Sequence, residues 1–486
     1  MEKDRTQRGP LLMIGAGPAG LTAAYELSKN GVPSLVLEQD NTVGGIARTV
    51  EHHGYRFDLG GHRFFSKMSV VNQIWREILP EDFLTRPRLS RIYYDGHFFN
   101  YPIQPANALA GLGAKAAVGV LASYALAKLN PHPVEENFEQ WVSNRFGKRL
   151  FDIFFKSYTE KVWGISTKEL SSDWAAQRIR DLSLGSAVRH ALFGQRRGRV
   201  TTSLIDKFQY PRLGPGQMWE RCRDIVVQRG SRLLLDARVR RVRWKGARAH
   251  AVLVGRAGGF EEIDAGEIIS SMPIREFVAA LDPPPPDEVL AAARSLRHRD
   301  FLVVGLVVDR PQLFPDNWIY VHTPGVRVGR IQNFKNWSPA MVPDAARTGI
   351  GMEYFVWRDD ALWNASDESL VALAAREGET LKLFAAREVV DGRVMRVPDA
   401  YPIYDPGYRE KLGLVRAWLE RLENVQLVGR NGQHRYNNQD HSMMTAWYAA
   451  RNILGERHDI WEVNVDEDYH EEALRGETPK TTAVRP

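Results

Sequence analysis

The sequence predicts an α/β fold whose centre is a parallel, Rossmann-like sheet, with a helical insertion and a second sheet elsewhere in the chain. Three observations carry this. The apolar run Leu11-Leu12-Met13-Ile14 ends in Gly15-Ala16-Gly17-Pro18-Ala19-Gly20. A helix-like stretch follows, and a second apolar run closes on Glu38 about 20 residues past the glycines, the spacing of a strand-helix-strand unit that receives a dinucleotide. Strand-like runs then return at 232–236, 267–272 and 424–428, each separated by long intervening segments.

Each part of the first unit has a physical job. Gly15 permits the tight turn out of the strand, Gly17 lets backbone approach a pyrophosphate, and Gly20 lets the helix pack closely on the sheet. The helix N-terminus then offers unpaired N–H groups and the positive end of its dipole to phosphate. Glu38 accepts from both hydroxyls of a ribose, so the ligand has a free 2′-OH and is FAD or NAD rather than NADP. Directly beyond it, Gly44-Gly45 forms a turn and Arg48 adds a positive charge, placed to follow a longer cofactor toward a flavin end. This stretch resembles the flavoproteins with two dinucleotide-binding domains, the superfamily of amine oxidases, protoporphyrinogen oxidases and UDP-galactopyranose mutases. The resemblance implies FAD.

Composition sets limits on the rest. A chain of 486 residues exceeds one compact core and suggests about two or three domains. The expected division gives the cofactor domain residues 1–87, 208–295 and 416–468, and a substrate domain 88–207 (helical) and 296–415 (sheet). Residues 469–486 are expected to form a polar, disordered tail. Lys+Arg 65 against Asp+Glu 59 leaves a net charge of +6, and no dense basic run marks a nucleic-acid module. The single cysteine, Cys222, rules out an intrachain disulfide and a Cys-based metal cluster, and suits a reducing cytoplasm. No metal site is expected. The polar first ten residues show no secretory signal. The stretch Ala106–Leu129 is too interrupted by glycine and lysine for a membrane span, and reads as a small-residue helix packed in the second domain, with a membrane-surface contact as the alternative. A homo-oligomer is left open.

In chain order, a short alternating strand leads into Gly60-Gly61-His62, a turn able to bring His62 near a flat ring. Residues 88–104 read as two strands joined at Asp95-Gly96, a hairpin signal. The segment 134–181 is helix-rich, with Ser172 or Asp173 as a cap for a helix that sets Trp174 and Arg178 on one face. The chain returns to the cofactor domain near Phe208. Strands 302–308 and 349–357 suggest the second sheet, with Arg330 and Lys335 between them. A strand ending at Gly429, then a helix from Met443 to Leu454, reads as a second strand-turn-helix phosphate contact.

Together the fingerprint, Gly60-Gly61-His62, Phe65-Ser66, Tyr101-Pro102 with Gln104, Lys161-Val162-Trp163, Trp174 with Arg178, Arg330 with Ser338-Pro339, Tyr401-Pro402, and Arg435-Tyr436 followed by Asn438-Gln439-Asp440-His441-Ser442 resemble UDP-galactopyranose mutase of the longer eukaryotic type, from Leu11 to about Leu454. The resemblance implies that Arg178 and Arg330 hold a sugar-nucleotide diphosphate and that His62 lies beside the flavin. It implies substrate contacts from Tyr101, Gln104, Trp163, Trp174, Tyr401, Arg435 and Tyr436. Cofactor contacts would come from Gly15, Gly17, Gly20, Glu38, Gly45, Arg48, Gly61, His62, Gly429, Asn438, Gln439, Asp440 and Ser442. In that mechanism N5 of reduced flavin attacks the anomeric carbon while the protein supplies position and charge, with NAD(P)H as the external reductant. Ile205 and Asp206 stand about where the eukaryotic enzymes carry an asparagine toward uracil, so the nucleobase stays open. An FAD-dependent oxidoreductase of the amine oxidase or protoporphyrinogen oxidase kind is the competing expectation, since fold does not separate the two.

Overall fold

Five short strands, Leu11–Ile14, Leu35–Leu37, Arg232–Leu234, Glu267–Ser270 and Val425–Leu427, pair in parallel although they come from four distant parts of the chain. The order places Leu11–Ile14 in the middle, flanked by Glu267–Ser270 and Leu35–Leu37. A central parallel strand is covered on both faces, and Leu12 and Met13 are fully buried. The computed structural model describes residues 9–101, 105–170, 172 and 207–463. The helix Pro18–Lys29 lies against this sheet, with Gln439–Ile453 and Pro215–Gln228 packed beside it. A four-stranded sheet, Arg238–Lys245 with its neighbours, adjoins the same core.

The second large sheet has seven strands in the order Val389–Pro402, His298–Val308, Thr348–Val356, Arg330–Asn333, Trp318–Val321, Ser90–Tyr94, His97–Asn100. Every residue of its two long central strands, His298–Val308 and Thr348–Val356, is buried, because helices and the aromatic cluster cover both faces. The hairpin joining Ser90–Tyr94 to His97–Asn100 turns through Asp95 and Gly96, both at positive φ (47° and 80°), the geometry that an Asp-Gly pair favours. The edge strand Val389–Pro402 departs from the sequence reading, which assigned no strand there. Asp391-Gly392 and Pro398 mask its alternation, and proline is tolerated because the strand is an edge.

The 106–129 stretch also differs from expectation. It forms two helices, Pro105–Leu112 and Ala114–Leu129, separated at Gly113. On the second helix only Val120 is buried, while Val118, Leu126 and Leu129 are 68%, 66% and 83% exposed. Its inner face carries mainly alanine and glycine, which let it lie close to the helices Phe138–Phe146 and Lys148–Phe151 but bury little apolar area. No helix among the described residues is long and apolar enough to cross a membrane. The helix from Phe138 starts with an Asn137 side chain accepting from the Gln140 N–H, and the chain passes through a π-helical turn, Asp152–Lys156, into Ser157–Trp163. The expected helix carrying Trp174 and Arg178, its Asp173 cap, Gln104, and the tail 469–486 lie outside the described residues.

Candidate active site

The strand Leu11–Ile14 delivers Gly15, at φ 100°, into the turn before the helix Pro18–Lys29. That helix has Gly17 as its N-cap residue and no side-chain cap, so its first N–H groups are presented by bare backbone. A Cβ on Gly20 would stand 1.8 Å from the Gly15 carbonyl oxygen, which is why glycine is required there. Gly45 packs on Gly17 so closely that a Cβ on Gly45 would lie 3.2 Å from the Gly17 Cα. Glu38, at the end of Leu35–Leu37, is buried and accepts from the N–H of Ala16 (2.6 Å) and Asp40 (3.0 Å). Burial raises its pKa against these two donors, which lower it. On the far side Gly429 abuts Ala19, a Cβ there falling 3.0 Å from the Ala19 Cβ and 4.0 Å from that of Ser442. The helix that follows starts at Gln439, four residues before the expected Met443, with Asn438 as its N-cap residue.

Two glycine turns and a second strand-turn-helix therefore converge on one uncapped helix N-terminus beside a buried acid. This donor set fits FAD: pyrophosphate at the N–H groups, ribose at Glu38. Two assigned contacts read differently in place. Arg48 forms an ion pair with Asp40, next to Glu38, after the left-handed turn at Gly44. Gly61 is glycine because the Trp318 indole occupies its Cβ position, 1.9 Å away. Asp440 accepts from the Ser66 hydroxyl (2.9 Å), and Gln439 accepts from the Trp219 indole N–H (3.1 Å), so both help to hold the helix start.

From the Gly44-Gly45 turn the chain passes to Ile46, whose carbonyl lies 3.0 Å from His62 Nε2, with that of Leu59 at 3.2 Å. Both partners are acceptors, so Nε2 carries the proton and Nδ1 is left as an acceptor. Desolvation first, then the Arg430 and Arg330 charges, lower the His62 pKa to about 4 against the backbone contacts that raise it. The ring is neutral at physiological pH. The unfolded chain takes up this proton near pH 6.5 and the folded chain only near 4, so the stability held by neutral His62 is lost as pH falls through that window. His62→Gln is expected to lose less stability than the native chain between pH 7 and pH 5, measured by urea unfolding at both values. Equal losses would show that the ring is not desolvated.

Arg330, Tyr401, Tyr436 and Trp163 come together beside His62. The Arg330 Nη2 donates to Tyr401 Oη at 2.7 Å, and its guanidinium lies 4.8 Å from the Phe355 ring and 5.2 Å from that of Trp318. Glu353, fully buried at the middle of Thr348–Val356, forms an ion pair with it. Burial alone would pull the Arg330 pKa down, but Glu353 and then the phenols Tyr401 and Tyr158 hold it well above its ordinary value. Tyr401 and Tyr436 stack at 5.7 Å, and Trp163 meets both at 6.4 and 6.2 Å. Tyr101 joins through Tyr320, 4.6 Å away, which in turn packs on Trp318 and Tyr158.

Arg435 does not join the group. Its Nη1 donates to the carbonyls of Trp461 (2.5 Å) and Val463 (2.8 Å), so it pins the last described segment. Arg430, to which the sequence reading gave no role, is there instead, 4.9 Å from the Tyr436 ring and 5.4 Å from that of Tyr401. It is held by the carbonyls of Asn437 and Ala400, at 2.9 and 3.0 Å, rather than by a carboxylate. The signal for Arg430 is its position directly after Gly429 at a strand end; for Glu353 it is a lone acid inside an apolar run.

A model of the family "Flavin containing amine oxidoreductase" matches residues 18–454. The chain belongs to this family. It is thus an FAD-dependent enzyme of the amine oxidase superfamily. Among curated proteins, this flavoenzyme is 24% identical over 427 residues to coproporphyrinogen III oxidase of Mycobacterium tuberculosis, covering 84% of this chain and 90% of that one. Among solved structures it is similar to reduced UDP-galactopyranose mutase, with a TM-score of 0.80, 21% identity, and coverage of 93% and 97%. A protein from Exiguobacterium sp. 255-15 that carries the provisional name protoporphyrinogen oxidase gives a TM-score of 0.67 at 17% identity, covering 91% and 98%. These structural likenesses concern the fold.

Proposed function

We propose that this flavoenzyme is a nucleotide-sugar pyranose/furanose mutase of the UDP-galactopyranose mutase kind, acting on a sugar diphosphonucleoside. The observation that carries the reading is the pairing of Arg330 and Arg430 around the stacked Tyr401 and Tyr436, next to a neutral His62. Bound and reduced, FAD would supply the nucleophile toward the anomeric carbon, with NAD(P)H as the reductant. The protein's part is charge and position. Arg430, held only by carbonyls, keeps its full charge for one phosphate, whereas Arg330 shares its charge with Glu353 and offers direction through Tyr401. Arg178 would add the further positive charge implied by the sequence resemblance. A diphosphate held this way stays within reach to recombine with the rearranged sugar. Trp163 and Tyr436 would bound the sugar, with Tyr101 lining the same cluster through Tyr320; Gln104, a contact implied by the sequence resemblance, lies outside the described residues.

A net oxidation is the second reading, favoured by the 24% identity to a coproporphyrinogen oxidase across most of both chains. The same arginines could pair with the carboxylates of a porphyrinogen. The two readings predict opposite dependence on flavin redox state. The holoenzyme reduced with dithionite under nitrogen is expected to convert UDP-galactopyranose, or another sugar nucleotide of a small panel, to its furanose form with no oxidant consumed. Turnover of coproporphyrinogen in air, with peroxide released and no sugar rearranged, would overturn the proposal. Arg430→Gln and Arg178→Ala are each expected to weaken sugar-nucleotide binding by about 1.5–3 kcal/mol, the range for a hydrogen bond to a charged group, while flavin content is unchanged. The measurement is quenching of flavin fluorescence on titration with the nucleotide. A reducing cytoplasm would suit a chain whose sequence holds a single cysteine, Cys222.

A further inference from the structure

Away from the cofactor and the arginine cluster, the hairpin Thr49–His52/Tyr55–Asp58 turns through His53 and Gly54. Successive residues of a strand point to opposite faces, so His52 and His53 would ordinarily diverge. His53 instead adopts a left-handed backbone, φ 50°, and its ring swings to 4.1 Å from that of His52. Both then face Asp391, 338 residues further along the chain, at the start of the edge strand Val389–Pro402. His53 Nδ1 lies 2.9 Å from the carboxylate, and His52 Nε2 lies 3.1 and 3.2 Å from its two oxygens. The three ligand atoms are all within 4.8 Å of one another.

We propose that His52, His53 and Asp391 form a site for a zinc-class divalent ion, with water completing the coordination. Bonds of about 2.0–2.2 Å to imidazole nitrogen and carboxylate oxygen set ligand atoms about 3.3 Å apart in a tetrahedron and about 2.9 Å apart in an octahedron. The nitrogen–oxygen separations fall in that range as they stand, and the two nitrogens lie within 4.8 Å of each other, a gap that a bound ion would have to draw in. Two imidazole nitrogens among three donors suit zinc, nickel and copper, whereas magnesium and calcium prefer all-oxygen shells. The His53 side chain is 74% exposed, which gives the ion a path in, while His52 and Asp391 are 19% and 34% exposed and fixed by their strands. Asp391 also accepts from the Gly392 N–H at 2.7 Å, a contact that orients the carboxylate.

The ion would tie the hairpin to the seven-stranded sheet. That hairpin joins the Gly44-Gly45 turn to Gly60-Gly61-His62, so the staple acts on the two segments that lead to the flavin site. The test is isothermal titration of the chelator-treated, dialysed holoenzyme with zinc chloride, alongside thermal unfolding. One zinc per chain is expected, with micromolar affinity and a raised unfolding temperature, and no response to magnesium at the same concentration. His53→Asn keeps a residue that accepts left-handed backbone, and Asp391→Asn keeps the carboxylate's shape; each is expected to weaken zinc at least tenfold with flavin retained. The proposal is overturned if the native protein shows no saturable single site, or if both variants bind zinc as tightly as the native chain.

Discussion

Arg330→Ala is expected to lower the unfolding free energy by about 3–5 kcal/mol, because it removes one half of a buried ion pair and leaves the other charged. Glu353 has no exposed side-chain surface and sits in the middle of a strand whose nine residues are all buried. Without Arg330 its hydrogen-bond donor among the described residues is the Gln332 amide, whose Nε2 donates at 2.5 Å. It must then either hold an uncompensated charge or take up a proton. The diagnostic is the double change. Arg330→Met with Glu353→Leu replaces the pair by apolar side chains and should recover most of the loss, since two opposed charges taken out of water together contribute little net stability. Urea unfolding of the holoproteins, followed by circular dichroism, measures both. A single-variant loss below about 1 kcal/mol would mean that water screens the pair. The recovered double variant then tests the proposed function: it should fold, keep flavin and bind the proposed sugar nucleotide more weakly than the native chain, which separates the arginine's structural part from the recognition proposed for it.

Some of the site was legible in the sequence and some was not. The cofactor unit could be read because each of its constraints is local: a turn that only glycine makes, a helix entry without a cap, an acid at a strand end. The Asp95-Gly96 hairpin was legible for the same reason. The substrate side depends on contacts between residues hundreds of positions apart. Tyr401, on a strand, stacks with Tyr436 in a loop, and Arg330 meets Tyr401 only because the edge strand Val389–Pro402, hidden by its proline, pairs beside His298–Val308. Arg435 and Arg430 lie five residues apart and point to different tasks, one pinning the 461–463 segment and the other facing the phenols. Arg430 lies in a short helix, Gly429–Gly432, and Arg435 beyond its end, and no periodicity in the sequence distinguishes which arginine turns inward. The apolar stretch 106–129 misled differently: its alanines permit close helix contact without burying enough surface to hide the leucines opposite.

Gly20→Ala is expected to give protein purified without bound flavin, since no glycine among the described residues has a closer backbone atom at its Cβ position. The added Cβ would meet the Gly15 carbonyl oxygen at 1.8 Å and its carbonyl carbon at 3.0 Å, and both are backbone. A side chain could rotate aside; this strand end is fixed by the Gly15 N–H donating to Leu37 at 2.8 Å and by the parallel ladder on both sides. The helix Pro18–Lys29 must therefore move off the sheet, and its N-terminal N–H groups move with it. Overpacking costs typically about 1–3 kcal/mol even where side chains can yield, so loss of stability should accompany loss of flavin. Gly413→Ala is the control. It lies inside the helix Tyr408–Leu419 with nothing within 4 Å of the new methyl, and it should raise stability by up to about 1 kcal/mol through helix propensity alone. Flavin absorbance per chain and urea unfolding of both variants make the comparison. A yellow Gly20→Ala protein with full flavin content would mean that the helix N-terminus tolerates displacement, and the pyrophosphate would then have to be held chiefly by the Gly429 turn.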